Sequence, residues 1–142
     1  MKYIGIDPDV HESGYSVWDS QLKTFDFIGQ ARFFTLTNLL LEMASNAEII
    51  VVIEAGWMNK KSNYHGRPGQ SKAVGETIAK RAGQNHQVAK FFAEFCQENN
   101  IKYTEIRPTQ TKLNSKDFNK KTGHTGPSNQ DYRDAAMLVY GM

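Results

Sequence analysis

The chain is poor in cysteine and has no long apolar run. Cys96 is the single cysteine among 142 residues, so no disulfide can form within the chain, and a reducing, cytoplasmic setting is the simpler expectation. A membrane-spanning helix needs about 18 consecutive apolar residues, which no stretch provides, and the apolar run after Met1 is too short for a signal peptide. We therefore expect no membrane partner.

The composition is that of a globular protein. Hydrophobic residues make up 39% of the chain and charged residues 23%, a balance unlike that of disordered or membrane proteins. A chain of 142 residues can form one sizeable core but is too short for two. The sequence thus predicts a single domain over residues 1–142.

The net charge of +2 hides an uneven distribution. Residues 1–54 carry three Lys or Arg against eight Asp or Glu, a balance of −5, whereas residues 55–93 carry seven basic residues against one acidic residue, a balance of +6. Such asymmetry suits an acidic pocket beside a surface that binds a polyanion. The alternative is an ordinary solvated helix rich in lysine.

Hydrophobic periodicity predicts an α/β fold. Short apolar runs predict five strands, over 3–6, 15–18, 22–28, 49–53 and 102–106. The i, i+3, i+4 spacing predicts three helices, one capped by Thr35, a long one from about Ser71 to Asn99 and one from about Asn129. This order predicts a mixed five-stranded sheet, with three antiparallel meander strands and two parallel ones, flanked by helices.

Two polar stretches and one aromatic stripe complete this outline. Residues 55–69 and 109–130 are polar and contain glycine, which predicts loops. Phe91, Phe92 and Phe95 lie at helical spacing in the long helix, which predicts either core or a dimer interface.

Four carboxylates stand at the ends of the predicted elements. Asp7 and Glu54 each close an apolar strand, and if those strands are parallel neighbours both side chains lie at the same sheet edge. Asp131 and Asp134 are spaced i, i+3, so they share one face of the last helix. Each has a structural alternative: Asp7 as a turn residue before Pro8, Glu54 as a solvated strand end, and the two aspartates as partners of the helix dipole.

Converging carboxylates repel each other and are stable mainly when hard cations bind between them. The four histidines are scattered, so the ligands are oxygens and favour Mg²⁺, with Mn²⁺ as a substitute, over zinc. Two such ions about 3.5–4 Å apart activate a water and stabilise the leaving oxygen in phosphodiester hydrolysis. The predicted chemistry is therefore metal-dependent cleavage of nucleic acid.

These residues resemble the motifs of the RuvC family of Holliday junction resolvases, which has a ribonuclease H-like fold. Ile-Gly-Ile-Asp7-Pro followed by Gly14-Tyr-Ser-Val is similar to the family's opening motif, Val-Ile-Glu54 is similar to its second, and Asp131-x-x-Asp134-Ala-Ala is similar to its closing pair. The resemblance runs over nearly the whole chain, which looks like a compact, phage-type relative. It implies that the four carboxylates bind the metal.

The resemblance also implies roles for residues beyond the carboxylates. Pro108 with Lys112 four residues later is similar to a motif whose lysine contacts the phosphate at the active site. Trp57 matches an aromatic residue that stacks on bases at the junction, although a loop residue packed on the sheet edge is the alternative. Gly83-Gln84 looks like the start of the helix through which the family dimerises. A second active-site lysine is open between Lys116, Lys120 and Lys121.

Four basic residues near Trp57 are candidates for contacts with DNA phosphates, which would make binding strongly salt-dependent. They are Lys60, Lys61, Arg67 and Lys72. One departure from the family is Asp9, where glycine is usual, and its charge adds to the acidic site. The sequence therefore predicts a homodimeric, Mg²⁺-dependent endonuclease that cuts branched DNA such as a four-way junction. The alternative is a non-catalytic module that binds branched or single-stranded DNA.

Overall fold

The computed structural model of the protein describes residues 1–59, 68–109 and 111–142. The strands are β1 (Lys2–Asp7), β2 (Ser13–Asp19), β3 (Thr24–Ala31), β4 (Ile49–Glu54) and β5 (Lys102–Ile106). They form one sheet in the order β3-β2-β1-β4-β5. β2 pairs antiparallel with β1 and β3, whereas β4 pairs parallel with β1 and β5. The predicted mixed sheet, a three-stranded antiparallel meander plus two parallel strands, is confirmed.

Helices pack on both faces of this sheet. They are α1 (Phe33–Asn46), a 3-10 turn (Gly56–Met58), α2 (Lys72–Glu98), α3 (Ser115–Thr122) and α4 (Gln130–Val139). The long helix and the last helix begin where the sequence predicts, because the side chains of Ser71 and Asn129 act as N-caps. Across the described ranges, no helix combines the length and apolar character needed to cross a membrane.

The structure differs from the sequence prediction at β3, which spans Thr24–Ala31 rather than 22–28, and at two helices. α1 begins at Phe33, two residues before the predicted cap Thr35, and no side chain caps it. Phe33 packs on the hydrophobic core, so tertiary contact rather than capping sets this start. α3 lies in a stretch predicted to be a loop. Only Phe118 of its eight residues is buried, so it lacks the apolar stripe that periodicity detects.

The two faces of the sheet have separate cores. Ile4, Ile6, Val51 and Ile53 belong to the larger core, together with buried residues of α1 and α2. The smaller core lies on the other face, under α4, and consists of Trp18, Val52, Leu138 and Val139. Successive side chains of a strand point to opposite faces. The residues that follow Ile6 in β1 and Ile53 in β4 therefore point toward α4.

Candidate active site

Asp7 and Glu54 end two strands that lie side by side. β1 and β4 are parallel, with Ile6 opposite Ile53, so the following residues, Asp7 and Glu54, lie next to each other at one sheet edge. Ile6 and Ile53 point into the larger core, and by alternation both carboxylates point to the face that α4 covers. The structure thus brings these two predicted site residues together.

α4 crosses the same face, with its first turn at the same edge. Two glycines permit the approach. A Cβ on Gly14 would lie 2.3 Å from the carbonyl oxygen of Asp131, and one on Gly5 would lie 2.1 Å from that of Ala135. Since Gly14 is the partner of Asp7 across the β1–β2 ladder, this contact sets Asp131 beside Asp7.

The carboxylates of this edge perturb each other. Burial is the main cause that raises the pKa of Asp7 from 3.8 to about 8. Neighbouring charges contribute as well: Glu54, Asp134 and Asp131 in the same direction and Lys112 in the opposite one. Burial also raises the pKa of Glu54. The charge of Lys112 lowers this pKa, and the charge of Asp134 raises it. The four predicted metal ligands therefore act on each other electrostatically.

Lys112 is a cation in direct contact with this cluster. Its ammonium donates a hydrogen bond to Oδ2 of Asp134 and forms an ion pair with it. The Asp134 side chain is 7% exposed and that of Lys112 is 55% exposed. Burial lowers the pKa of Lys112, but the hydrogen bond and charge of Asp134, with the charges of Asp7 and Glu54, raise it above its ordinary value. Lys112 is therefore protonated at neutral pH.

The donor chemistry of the cluster suits a hard divalent cation. Carboxylate oxygens are the ligands that Mg²⁺ and Mn²⁺ take, and the pKa of Asp7 is raised first by burial and then by the charges of the neighbouring carboxylates. In the described part of the chain, no three Asp, Glu, His or Cys side chains are arranged as ligands of one ion. The oxygens of Asp134 instead accept hydrogen bonds from Lys112 and from Gln130 Nε2, the latter at 2.6 Å. Ion binding would require these side chains to rotate.

The turn between β1 and β2 is tied to α2. Asn85 Oδ1 accepts a hydrogen bond from the backbone N–H of Val10 at 3.0 Å, and Asn85 Nδ2 donates to Oδ2 of Asp9 at 3.2 Å. Burial raises the pKa of Asp131, the charge of Asp9 adds to this effect, and Arg81 of α2 opposes it. The negative charge of Asp9 therefore acts on the cluster, as expected from the sequence.

Trp57 is half-buried against α2. It follows Glu54 in the 3-10 turn and packs on the larger core. Its ring centroid is 6.1 Å from that of His86, and Lys90 Nζ lies 5.6 Å over its ring. A Cβ on Gly56 would lie 2.6 Å from His86 Nε2, so the turn sits tightly on the helix. Trp57 therefore packs on α2 in the single chain, and its stacking on a base stays a prediction.

The basic residues predicted to contact DNA are only partly described. Lys60, Lys61 and Arg67 lie outside the described residues. Lys72 is the first residue of α2, where its side chain is 92% exposed and lies 3.9 Å from Glu76. Of the candidates for a second active-site lysine, Lys121 lies 5.6 Å over the ring of Tyr140, and the other two are exposed on α3.

Sequence reasoning missed three polar residues that shape the site: Asn85, Gln130 and Arg133. Asn85 contacts residues 75 and 76 positions away, so no local spacing could reveal it. Gln130 is four residues before Asp134, and helical phase alone would have placed them on one face. Arg133 is buried with 8% exposure, and its partners include Ser115 of α3, a helix that was not predicted.

Comparison with known proteins bears on the fold. No protein-family model matches the chain, and no curated protein matches it. The chain is similar to the structure of Thermus thermophilus RuvC in complex with a Holliday junction substrate, with a TM-score of 0.60 and 16% identity over 99% of this chain and 91% of that chain. It is also similar to a second structure of Thermus thermophilus RuvC, with a TM-score of 0.58 and 14% identity over 99% and 92% of the two chains. The predicted ribonuclease H-like α/β fold is therefore confirmed.

Proposed function

We propose that this chain is a divalent-metal-dependent endonuclease that cuts branched DNA, with the four-way Holliday junction as its substrate. The observation that carries the proposal is the meeting of Asp7 and Glu54 at one sheet edge, under the first turn of α4. The pKa of Asp7, raised first by burial and further by the neighbouring carboxylates, supports it, because carboxylates that repel each other favour hard cations. Clustered oxygen donors of this kind are typical of metal-assisted phosphodiester hydrolysis.

Each residue of the cluster has a proposed role. Asp7, Glu54, Asp131 and Asp134 would hold Mg²⁺ or Mn²⁺. The bound ions would supply Lewis acidity and lower the pKa of a water molecule. The ammonium of Lys112, whose side chain is 55% exposed, would contact the scissile phosphate and stabilise the charge that develops there. Asp134 would exchange its hydrogen bond with Lys112 for a bond to the ion.

The proposed DNA surface begins at the 3-10 turn and continues along the first turns of α2. Lys60, Lys61, Arg67 and Lys72 are its proposed phosphate contacts. Trp57 would leave Lys90 and stack on an unpaired base, a contact worth about 1–3 kcal/mol in binders of single strands. The solved complex of Thermus thermophilus RuvC with a Holliday junction substrate supports a branched substrate for this fold.

A homodimer is proposed because symmetric nicking of a junction needs two sites related by a two-fold axis. α2 carries apolar side chains that the described chain leaves exposed: Val74 and Ile78 are each 50% exposed and Phe91 is 47% exposed. A second copy of the chain is the proposed cover for these exposed side chains.

The test uses a synthetic four-way junction with Mg²⁺ or Mn²⁺. Wild type should introduce paired nicks, whereas Asp7→Asn should cut slower by roughly 10³-fold or more, because a metal contributes several kcal/mol to the transition state. Asp26→Asn is the matched control, since Asp26 is exposed on β3 and pairs with Lys2 at the opposite end of β1.

Two outcomes would count against the proposal. Equal cleavage by wild type and Asp7→Asn would reject the assigned site. Tight junction binding by wild type without cleavage under either metal would favour the non-catalytic DNA-binding module instead.

A further inference from the structure

A closed ring of contacts links Lys112 to the buried Arg133. One half consists of side chains around Asp134: Lys112 Nζ donates to Oδ2, and Gln130 Nε2 donates to Oδ1 at 2.6 Å. The other half runs through Arg133, whose Nη2 donates to Gln130 Oε1 at 3.0 Å and whose Nε donates to the carbonyl oxygen of Leu113 at 2.9 Å. Leu113 follows Lys112 in the chain, which closes the ring.

Arg133 is a full charge in a buried position, with 8% exposure. Its guanidinium makes five hydrogen bonds, all to neutral oxygens of Leu113, Ser115, Ser128 and Gln130. Within the described ranges, no carboxylate lies at ion-pair distance from it. A buried charge without an acidic partner is costly. The buried charge of Arg133 is therefore stabilised by the several fixed acceptors to which its planar guanidinium donates at once.

The Arg133 guanidinium holds the segment 111–114, which has no regular secondary structure. Residues 111–114 belong to neither a helix nor a strand, so tertiary contacts must place the Lys112 backbone. Arg133 holds the carbonyl of Leu113, and its Nη1 also reaches Ser115 Oγ at 3.1 Å, at the start of α3. Through Gln130 the same guanidinium orients the carboxylate that receives the Lys112 ammonium. One side chain thus positions both partners of the ion pair.

We propose that Arg133 is a positioning residue which, through Leu113 and Gln130, sets the Lys112 ammonium against Asp134. A lysine side chain loses considerable rotamer entropy when it is held in one place, and the ring supplies that restraint in the protein alone. The consequence for cleavage rests on the proposed function, in which Lys112 contacts the scissile phosphate. The ring itself does not depend on that function.

The test measures how fast an N-hydroxysuccinimide ester acylates Lys112 in the metal-free protein, with the exposed Lys116 as internal reference and mass spectrometry as readout. Arg133→Lys keeps the charge but cannot donate to Leu113 and Gln130 together. Acylation of Lys112 relative to Lys116 should then rise roughly ten-fold, the factor for one lost hydrogen bond to a charged group.

A second variant and a control accompany Arg133→Lys. Gln130→Leu interrupts the ring while retaining side-chain volume, and it should raise the acylation ratio by a similar factor. Ser45→Ala is the control, because Ser45 lies on α1 and its hydroxyl donates to the Glu42 carbonyl rather than to the ring, so the ratio should stay at the wild-type value. The thermal unfolding midpoint of each variant shows whether the fold is kept.

An unchanged ratio in folded Arg133→Lys and Gln130→Leu would overturn the proposal. A rise of the acylation ratio in Gln130→Leu but not in Arg133→Lys would also overturn it. A positive charge at position 133 would then suffice to position Lys112 without the hydrogen bonds of the guanidinium. Should Arg133→Lys fail to fold, Gln130→Leu decides: a rise supports the ring and no rise refutes it.

Cleavage kinetics extend the test to the enzyme. Both variants should lower kcat for junction cleavage with little change in KM, because the placement of Lys112 changes while the DNA surface does not. If wild type cuts no junction, the proposed function fails, whereas the acylation ratios still report whether Arg133 positions Lys112.

Discussion

Gly14 and Asp131 approach so closely that a Cβ on Gly14 would lie 2.3 Å from the Asp131 carbonyl oxygen. Gly14 is also the cross-strand partner of Asp7. The missing side chain of one glycine therefore lets the first turn of α4 lie directly beside the strand-end carboxylates. The geometry of the site depends on this contact as much as on the carboxylates themselves.

Gly14→Ala should displace the first turn of α4 and destabilise the protein. Overpacking of this kind costs about 1–3 kcal/mol, and urea unfolding would measure it. Gly83→Ala in α2 is the control, because an added Cβ there meets no atom within 4 Å and should stabilise the helix by about 0.5–1 kcal/mol. A Gly14→Ala variant as stable as wild type would show that the close approach is not required.

The metal-free protein should lose stability as the pH rises from about 4 to about 8. The folded pKa of Asp7 is raised from 3.8 to about 8, so in this range the native state holds a proton that the unfolded state releases. A group with a raised folded pKa stabilises fully below its unfolded pKa and loses that contribution as the pH passes its folded pKa. Urea unfolding in EDTA at several pH values would measure the slope.

The matched variants for this slope are Asp7→Asn and Asp26→Asn. Asp7→Asn should flatten most of the pH dependence and be more stable than wild type at pH 8 by several kcal/mol, because each unit of pKa shift corresponds to about 1.4 kcal/mol. Asp26→Asn should keep the wild-type slope. A wild-type stability that is constant between pH 5 and 8 would contradict the electrostatic description of the site.

Lys112→Met should raise the pKa of Asp7 further. The Lys112 charge is the one that opposes the rise caused by burial and by the neighbouring carboxylates, so its removal leaves them unopposed. Carbon-13 NMR of the Asp7 carboxyl would follow the titration. Lys116→Met, at an exposed position of α3, is the control, and an identical Asp7 titration in the two variants would refute the prediction.

Phe91→Asp should produce monomers if α2 forms the proposed dimer interface. The Phe91 side chain is 47% exposed in the single chain, and burying a carboxylate there without a partner is costly. Sedimentation velocity would measure the oligomeric state. Leu22→Asp, at a 72% exposed position between β2 and β3, should leave it unchanged. A Phe91→Asp protein that sediments as wild type would place the interface elsewhere.

The strands were predictable because their signals are local. The β-branched run at 49–53 and the apolar run before Asp7 identify buried strands in any context, and the predicted strand 102–106 matches β5. Ser71 and Asn129 likewise mark helix starts through their own hydrogen bonds to nearby N–H groups. α3 escaped detection because one buried residue, Phe118, produces no periodicity.

The sequence by itself determined the succession of strands and helices along the chain. It also determined that a carboxylate stands at the end of β1, at the end of β4 and in the first turn of α4. Strand alternation and helical spacing depend only on neighbouring residues. The tertiary structure alone decided that Gly14 brings Asp131 beside Asp7, that Trp57 packs under Lys90, and that Arg133 holds the segment of Lys112. These contacts join residues far apart in the chain, and burial, which raises the pKa of Asp7, exists only after the chain has folded.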